Sequence, residues 1–107
     1  MWLCLSNGFL SIVQDKNVKN QFLVRAREKT HLEFYFPNVD IIDNVMGDYP
    51  YRIFIQKSEF MEFLSNYVES INYDNFKNSV TDQKLHYFFL KIWSFGISIL
   101  EKKIMSY

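Results

Sequence analysis

Cysteine is almost absent from this chain, which has one, Cys4, among its 107 residues. A lone cysteine forms no internal disulfide and leaves no cysteine-based zinc motif, so we interpret Cys4 as a small apolar strand residue. The three glycines stand far apart and make no loop that could hold a phosphate group. The two histidines, His31 and His86, have no cysteine or acid at metal-ligand spacing. The sequence therefore predicts neither a metal nor a cofactor.

Net charge is lacking as well, since 12 basic side chains balance 12 acidic ones. The two halves of the chain are each balanced, so the sequence has no basic tail and no acidic arm. Tight binding to duplex DNA needs several cations on one face, and the overall balance argues against it.

Apolar runs are too short for a membrane span. The most hydrophobic stretch, residues 85–100, has 16 residues with Lys91 inside, whereas a spanning helix needs about 20 apolar residues. The amino terminus has no cationic region, and Asn7-Gly8 interrupts its apolar run, which argues against a signal peptide. We predict a soluble, cytoplasmic protein with no membrane partner.

Aromatic residues are abundant by contrast, with 11 Phe, 7 Tyr and 2 Trp making up 19% of the chain. With 49% apolar residues the chain is not disordered, and its length fits a single domain over residues 1–107. A core of this size does not need so many rings. Some should therefore lie at the surface, where they could serve recognition.

The first predicted element is a β-hairpin in residues 3–12, L-C-L-S-N-G-F-L-S-I. Asn-Gly between alternating hydrophobic residues is a strong hairpin signal, because both turn positions need a positive φ. A two-residue turn would pair Ser6 with Phe9, and the register would place four apolar residues on one face: Leu3, Leu5, Leu10 and Ile12. The alternative is one long strand with a bulge at Gly8.

The remaining elements follow from periodicity and capping signals. Residues 22–27 alternate as a strand, with Phe22, Val24 and Ala26 on one face. The T-H-L-E motif at 30–33 predicts a capping box on a helix that ends before Pro37. Strands are predicted at 39–44 and 51–56, a helix capped by Ser58, and a last helix that starts at Thr81 or Asp82.

The predicted order is β-β-β-α-β-β-α-α. It indicates an α+β fold, an antiparallel sheet of four to five strands with two to three helices on one face. Without the first strand, the order is a circular permutation of the ferredoxin-like order, which we expect as the topology.

Five short motifs occur in a fixed order along nearly the whole chain: G-F-L-S-I-V (8–13), V-R-A-R (24–27), D-Y-P-Y-R (48–52), I-N-Y-D-N-F-K (71–77), and His86 with Trp93. Together they resemble a widespread family of small bacterial proteins of unknown function. In that family the fourth motif usually reads I-D-Y-x-N-F-K, so Asn72 replaces an acid here. The resemblance implies a compact chromosomal or mobile-element protein and supplies no activity.

Three arginines are the first candidate site. Arg25 and Arg27 point to the same face of one predicted strand, and Arg52 leads another. With helices on the opposite face, these arginines would share the open face of the sheet with three rings: Tyr49, Tyr51 and Phe54. Guanidinium groups beside aromatic rings could bind phosphates, stacked bases or a carboxylate-rich partner. The alternative is that each arginine pairs with a nearby acid, Asp40, Asp43 or Asp48.

The segment 71–77 is the second candidate. As a joint between two helices, it would bury Tyr73 and Phe76, while Asp74 or Asn75 caps local amides. As a site, it would present Tyr73, Asn75 and Lys77 to a partner, since connecting segments often carry function.

The last helix has more apolar surface than one sheet face can cover, with Tyr87, Leu90 and Ile97 outside its main stripe and Ile104 and Met105 beyond them. This surplus predicts packing on a second helix or a homodimer through the C-terminal helix.

We favour the hypothesis of a small non-enzymatic interaction protein that binds another macromolecule, most simply a protein, in a fixed stoichiometry. Stoichiometric inhibitors encoded by phages and mobile elements against bacterial defence, including anti-CRISPR proteins, are an analogy for such a domain. The first alternative is a binder of single-stranded RNA or nucleotides that uses the open sheet face. The second is a small hydrolase or transferase with His86 in its site, although His86 more simply bonds locally.

Overall fold

The computed structural model describes residues 1–43 and 46–105, with side chains up to residue 100. The elements in chain order are β1 (Trp2–Leu5), β2 (Gly8–Gln14), β3 (Gln21–Ala26), α1 (Lys29–Tyr35), β4 (Ile42–Asp43), β5 (Tyr51–Gln56), α2 (Lys57–Ser70), α3 (Phe76–Ser79) and α4 (Gln83–Met105). The strands form one antiparallel sheet in the order β1-β2-β3-β5-β4. The predicted α+β class and element order are confirmed, with the short α3 added between the two long helices. The predicted fourth strand is shorter than expected, and its last residue, 44, lies outside the described residues.

The first hairpin forms, but its register differs from the predicted one by two residues. Leu5 pairs with Gly8 and Cys4 with Phe9, so the turn residues are Ser6 and Asn7. Gly8 does not have the positive φ of the predicted turn; it lies in the strand because α1 passes close to it. A Cβ on Gly8 would meet His31 Cβ at 3.0 Å. A shift of two preserves the side-chain alternation, so the predicted apolar face is retained.

The main core lies between one face of the sheet and the helices α1 and α2. Its fully buried centre comprises Leu10, Val24, Leu32 and Ile53. The alternation predicted for β3 is confirmed, since Val24 and Ala26 are buried on this face while Arg25 points to the other. Removing one Leu or Ile side chain of this kind from water stabilises the fold by roughly 1.5–3 kcal/mol.

Two predicted helix caps are wrong. The N-cap of α1 is Glu28 and that of α2 is Gln56, and neither side chain makes a capping hydrogen bond. Both helices follow a strand almost directly, and at α2 the Lys57 N–H is already satisfied by the Asn20 carbonyl at 2.8 Å. Ser58 is the second residue of α2 and not the residue before it, so its hydroxyl is not at the capping position. At the last helix the predicted cap is confirmed, because Asp82 Oδ2 accepts from the Leu85 N–H at 2.9 Å.

A second, smaller apolar cluster covers one end of the opposite sheet face. It joins Phe9 of β2 to α3, to the start of α4 and to the turn before β5, through Phe9, Tyr49, Val80, Leu85 and Phe89. The sequence predicted this face to be open, whereas α3 and α4 cover the Phe9 end of it. Beyond Leu90, the side chains of α4 up to residue 100 are exposed on all sides. Among the described residues, no helix is long and apolar enough to span a membrane.

Candidate functional site

Arg25 and Arg52 lie directly opposite each other on β3 and β5. They are part of one row of side chains that crosses all five strands on the face opposite α1 and α2: Trp2, Ser11, Arg25, Arg52 and Ile42. Like charges at directly paired positions of a sheet repel each other. The surroundings of the two arginines must compensate for that repulsion.

Tyr49 supplies part of the compensation. The guanidinium carbons of Arg25 and Arg27 lie 4.8 Å and 5.0 Å from the centre of its ring, in the geometry of cation–π contacts. Arg52 Nη2 donates to the Tyr49 carbonyl at 3.3 Å, and Arg25 Nη2 donates to Ser11 Oγ at 2.9 Å. Tyr49 itself is only 8% exposed, so its ring is a fixed platform for Arg25 and Arg27, and its backbone carbonyl holds Arg52.

The alternative of acid pairing is not observed. None of Asp40, Asp43 and Asp48 forms an ion pair with an arginine in the part of the chain that the structure describes. In addition, the Nε–H groups of Arg25 and Arg52 are buried without an acceptor. This cluster of Arg25, Arg27, Arg52 and Tyr49, called the arginine cluster below, therefore has positive charge that no described acid neutralises.

The rings predicted to accompany the arginines divide between the two faces. Phe54 lies on the arginine face and is 42% exposed. Tyr51 does not, because it alternates with Arg52, pairs with Ala26 and packs against the main core. The predicted group of three rings is thus wrong in one member.

The segment 71–77 makes the contacts of a joint. Asn75 is the N-cap of α3, and its Oδ1 accepts from the Asn78 N–H at 3.1 Å. Tyr73 is half-buried against Phe76, with 5.8 Å between ring centres, and burial together with the nearby Tyr67 raises the pKa of its hydroxyl. Lys77 Nζ lies 4.6 Å from the centre of the Trp93 ring. Asn75 and Lys77 also line a shallow cavity of about 430 Å³. Whether these two residues bind a partner there stays a prediction.

The two histidines have environments that differ from each other. His86 Nδ1 lies 2.8 Å from the Lys77 carbonyl, in agreement with the local bond considered from the sequence. His31 is half-buried, and the Phe9 N–H donates to its Nδ1 at 3.3 Å. Desolvation by burial lowers the pKa of His31, and Glu28 opposes that effect. No local signal could have predicted this burial, because the Phe9 N–H that donates to the ring is 22 positions away.

A cleft of about 640 Å³ opens beside His31, between the beginnings of α1 and α4. Its apolar walls are Phe9, Phe34, Leu85 and Phe88, and its polar lining is Asn7, Arg27, Glu28, Thr30, His31, Asp82 and Lys84. Arg27 connects this cleft to the arginine cluster, whereas His86 lines neither of the two cavities. Within the described residues, no group of three or more metal-binding side chains could hold an ion.

Comparisons with known proteins add no relationship: no family model, no curated protein and no solved structure matches this chain.

Proposed function

We propose that this chain is a non-enzymatic interaction protein, and that it binds an acidic surface of another protein through the arginine cluster. The observation that carries the proposal is the pair of arginines at opposed positions, with no acid of the described residues paired to either. A carboxylate from outside would neutralise the repelling charges and accept from their outward nitrogens.

The geometry of the cluster favours binding for a second reason. Arginine matches a carboxylate with two parallel hydrogen bonds, but an extended side chain loses conformational entropy when it binds. The Tyr49 ring and the Ser11 hydroxyl already hold Arg25 in place. A side chain ordered before binding loses less entropy on association, so a partner's carboxylate would gain more net affinity here than at a mobile arginine.

The surroundings of the cluster fit a protein partner. Trp2, Phe54 and Ile42 are exposed on the same sheet face, on both sides of the two arginines. Aromatic and arginine side chains are enriched at the centres of protein interfaces. Stoichiometric inhibition, as by phage and mobile-element proteins directed against bacterial defence, is one role that a domain of this kind would serve.

Single-stranded RNA is the second candidate, and the exposed ring of Phe54 beside the arginines is the observation that favours it. Bases stack on exposed rings of a sheet while arginines contact phosphates. The two candidates differ in salt response. Phosphate contacts weaken steeply between about 50 and 200 mM salt through counterion release, whereas a contact anchored by rings changes much less.

The test is affinity capture from the native host with the tagged chain, with and without nuclease, followed by mass spectrometry. The wild type is compared with the triple variant Arg25→Ala, Arg27→Ala, Arg52→Ala and with Lys16→Ala, an exposed charge change on a loop as the control. We expect a protein partner that resists nuclease and is retained by Lys16→Ala but lost by a folded triple variant. A partner that the folded triple variant keeps would overturn the proposal.

The exposed half of α4 supports a further part of this proposal, a homodimer. Ile92, Trp93, Phe95, Ile97, Ile99 and Leu100 are all exposed large apolar side chains within nine residues. Monomeric proteins rarely expose an apolar patch of this extent. A second copy of the helix would cover it with an identical surface, the simplest closed arrangement for one chain.

A further inference from the structure

The cleft beside His31 has the dimensions and walls of a ligand site, and it shares Arg27 with the arginine cluster. Its volume of about 640 Å³ lies within the range of roughly 300–1,000 Å³ of small-molecule sites. Phe9 and Phe88 form one wall, edge to face with 5.0 Å between ring centres. Phe34 also lines the cleft and is 61% exposed, so burial in the apolar core does not account for its position.

The acids that line the cleft are already engaged. Glu28 is hydrogen-bonded to Lys84, which joins the beginning of α1 to the beginning of α4. Asp82 caps α4 through the Leu85 N–H. Each carboxylate therefore has one oxygen already bonded within the fold.

Of the remaining polar groups in the cleft, Asn7 and Thr30 can donate or accept, whereas Arg27 and His31 supply donors. His31 Nδ1 accepts from the Phe9 N–H, so the proton of the neutral ring is on Nε2, which is a donor. Arg27 is exposed, rests on the Tyr49 ring and forms no ion pair with any described acid. The Arg27 cation and the His31 donor favour a ligand with a negatively charged acceptor group. The phenylalanine walls favour a ligand with a flat apolar part.

We propose that this cleft binds a small aromatic carboxylate, with the ring between Phe34 and the Phe9–Phe88 pair and the carboxylate on Arg27 and His31 Nε2–H. Aromatic rings pack edge to face or offset against one another, and an arginine bound to a carboxylate gives a charge-assisted hydrogen bond, about twice as strong as a neutral one.

The test is an NMR titration of the full ¹⁵N-labelled chain with N-acetyl-L-tryptophan, which carries the carboxylate, and with N-acetyl-L-tryptophanamide, which has the same ring without the charge. We expect saturable shifts of the amide signals around Phe9, His31 and Leu85, and binding of the acid roughly fivefold to tenfold tighter than that of the amide. Arg27→Gln should remove this difference between the two probes. Phe34→Ala should weaken both probes, and Met61→Ala, which removes an exposed apolar side chain on α2 outside the cleft, should weaken neither.

Each of these variants changes an exposed side chain, so its unligated spectrum should keep the dispersion of the folded wild type. The proposal is overturned if no saturable shifts occur at the cleft, if acid and amide bind equally to the wild type, or if Phe34→Ala binds like the wild type. The two proposals share Arg27 but are tested by different experiments, so capture of the macromolecular partner and binding of the small probes can fail separately.

Discussion

Arg25 and Arg52 face each other across β3 and β5, and each has a buried Nε–H without an acceptor. Two cations at directly opposed positions repel each other, so the pair is held by its contacts with Tyr49 and Ser11 rather than by mutual attraction. This arrangement makes a specific thermodynamic prediction that an arginine paired with an acid would not make.

A double-mutant cycle should reveal the repulsion. We expect Arg25→Gln together with Arg52→Gln to cost more stability than the sum of the two single variants, because either single change already relieves the repulsion. The excess should be roughly 0.2–1 kcal/mol and should shrink between about 0.01 and 1 M salt, where screening shortens the Debye length from 30 to 3 Å. Urea unfolding of the four proteins measures it. An excess of the opposite sign would mean that the two side chains support each other.

Gly8 and Gly96 should respond oppositely to alanine. A Cβ at Gly8 would lie 3.0 Å from His31 Cβ and 3.2 Å from a ring carbon of Tyr35. We expect Gly8→Ala to lower the free energy of unfolding by about 1–3 kcal/mol, the range for overpacking. At Gly96, in α4, no atom lies within 4 Å of the added Cβ. Gly96→Ala should therefore be neutral or stabilise by up to about 1 kcal/mol through helix propensity.

Thermal or urea unfolding of the two glycine variants provides the comparison. If Gly8→Ala is as stable as the wild type, the His31 side chain of α1 does not lie as close to Gly8 as the 3.0 Å distance indicates.

The strands and the apolar faces were predictable because they depend on local alternation. The hairpin register was not predictable in this way. It places Gly8 in a strand against His31 of α1, which lies 23 positions later in the chain. In the same way, the acids nearest to the arginines in sequence are not their partners; a tyrosine from the turn before β5 and a serine from β2 are. The arginines could be selected from the sequence, but their partners depend on strand order, which no local pattern reports. The cleft at His31 has the same origin, because it forms where α1 and α4 meet.

His31 should make stability depend on pH. Burial lowers its pKa in the folded chain from the ordinary value of 6.5. The unfolded chain therefore takes up the proton first as the pH falls. The stabilisation is complete above about pH 6.5 and is lost progressively below it, down to the folded pKa. In His31→Gln this contribution should be missing, so the difference in stability between wild type and variant should narrow as the pH falls from 7.5 to 5, in about half-unit steps.

Urea unfolding across that pH range measures the difference. The difference in unfolding free energy between the two proteins is taken at each pH. Groups that titrate alike in both proteins contribute equally to the two values and cancel in the difference. A difference that stays constant or widens towards low pH would contradict the lowered pKa of His31.

Tyr73→Ala should distinguish a joint from a binding segment. The ring is half-buried against Phe76, so its truncation should cost less than the roughly 3–5 kcal/mol of a fully buried ring, about 1–3 kcal/mol. Tyr87→Ala, an exposed ring on α4, is the matched control and should cost less than Tyr73→Ala. If Tyr73→Ala unfolds like the wild type and yet loses the partner, the segment 71–77 is a binding site rather than a joint.

The exposed half of α4 should make the chain dimerise. Phe95 is 69% exposed in the isolated chain and lies among five other exposed apolar side chains, so a charge there would be buried at the interface of a dimer but solvated in a monomer. Burying an unpaired charge is costly, and Phe95→Glu should therefore dissociate the dimer without lowering the stability of the monomer. Val68→Glu, at an exposed position on α2, should leave the dimer intact. Sedimentation equilibrium at concentrations from about 1 to 100 μM, which brackets a micromolar Kd, tests all three proteins. If the wild type is monomeric over that whole range, the prediction of a dimer is wrong.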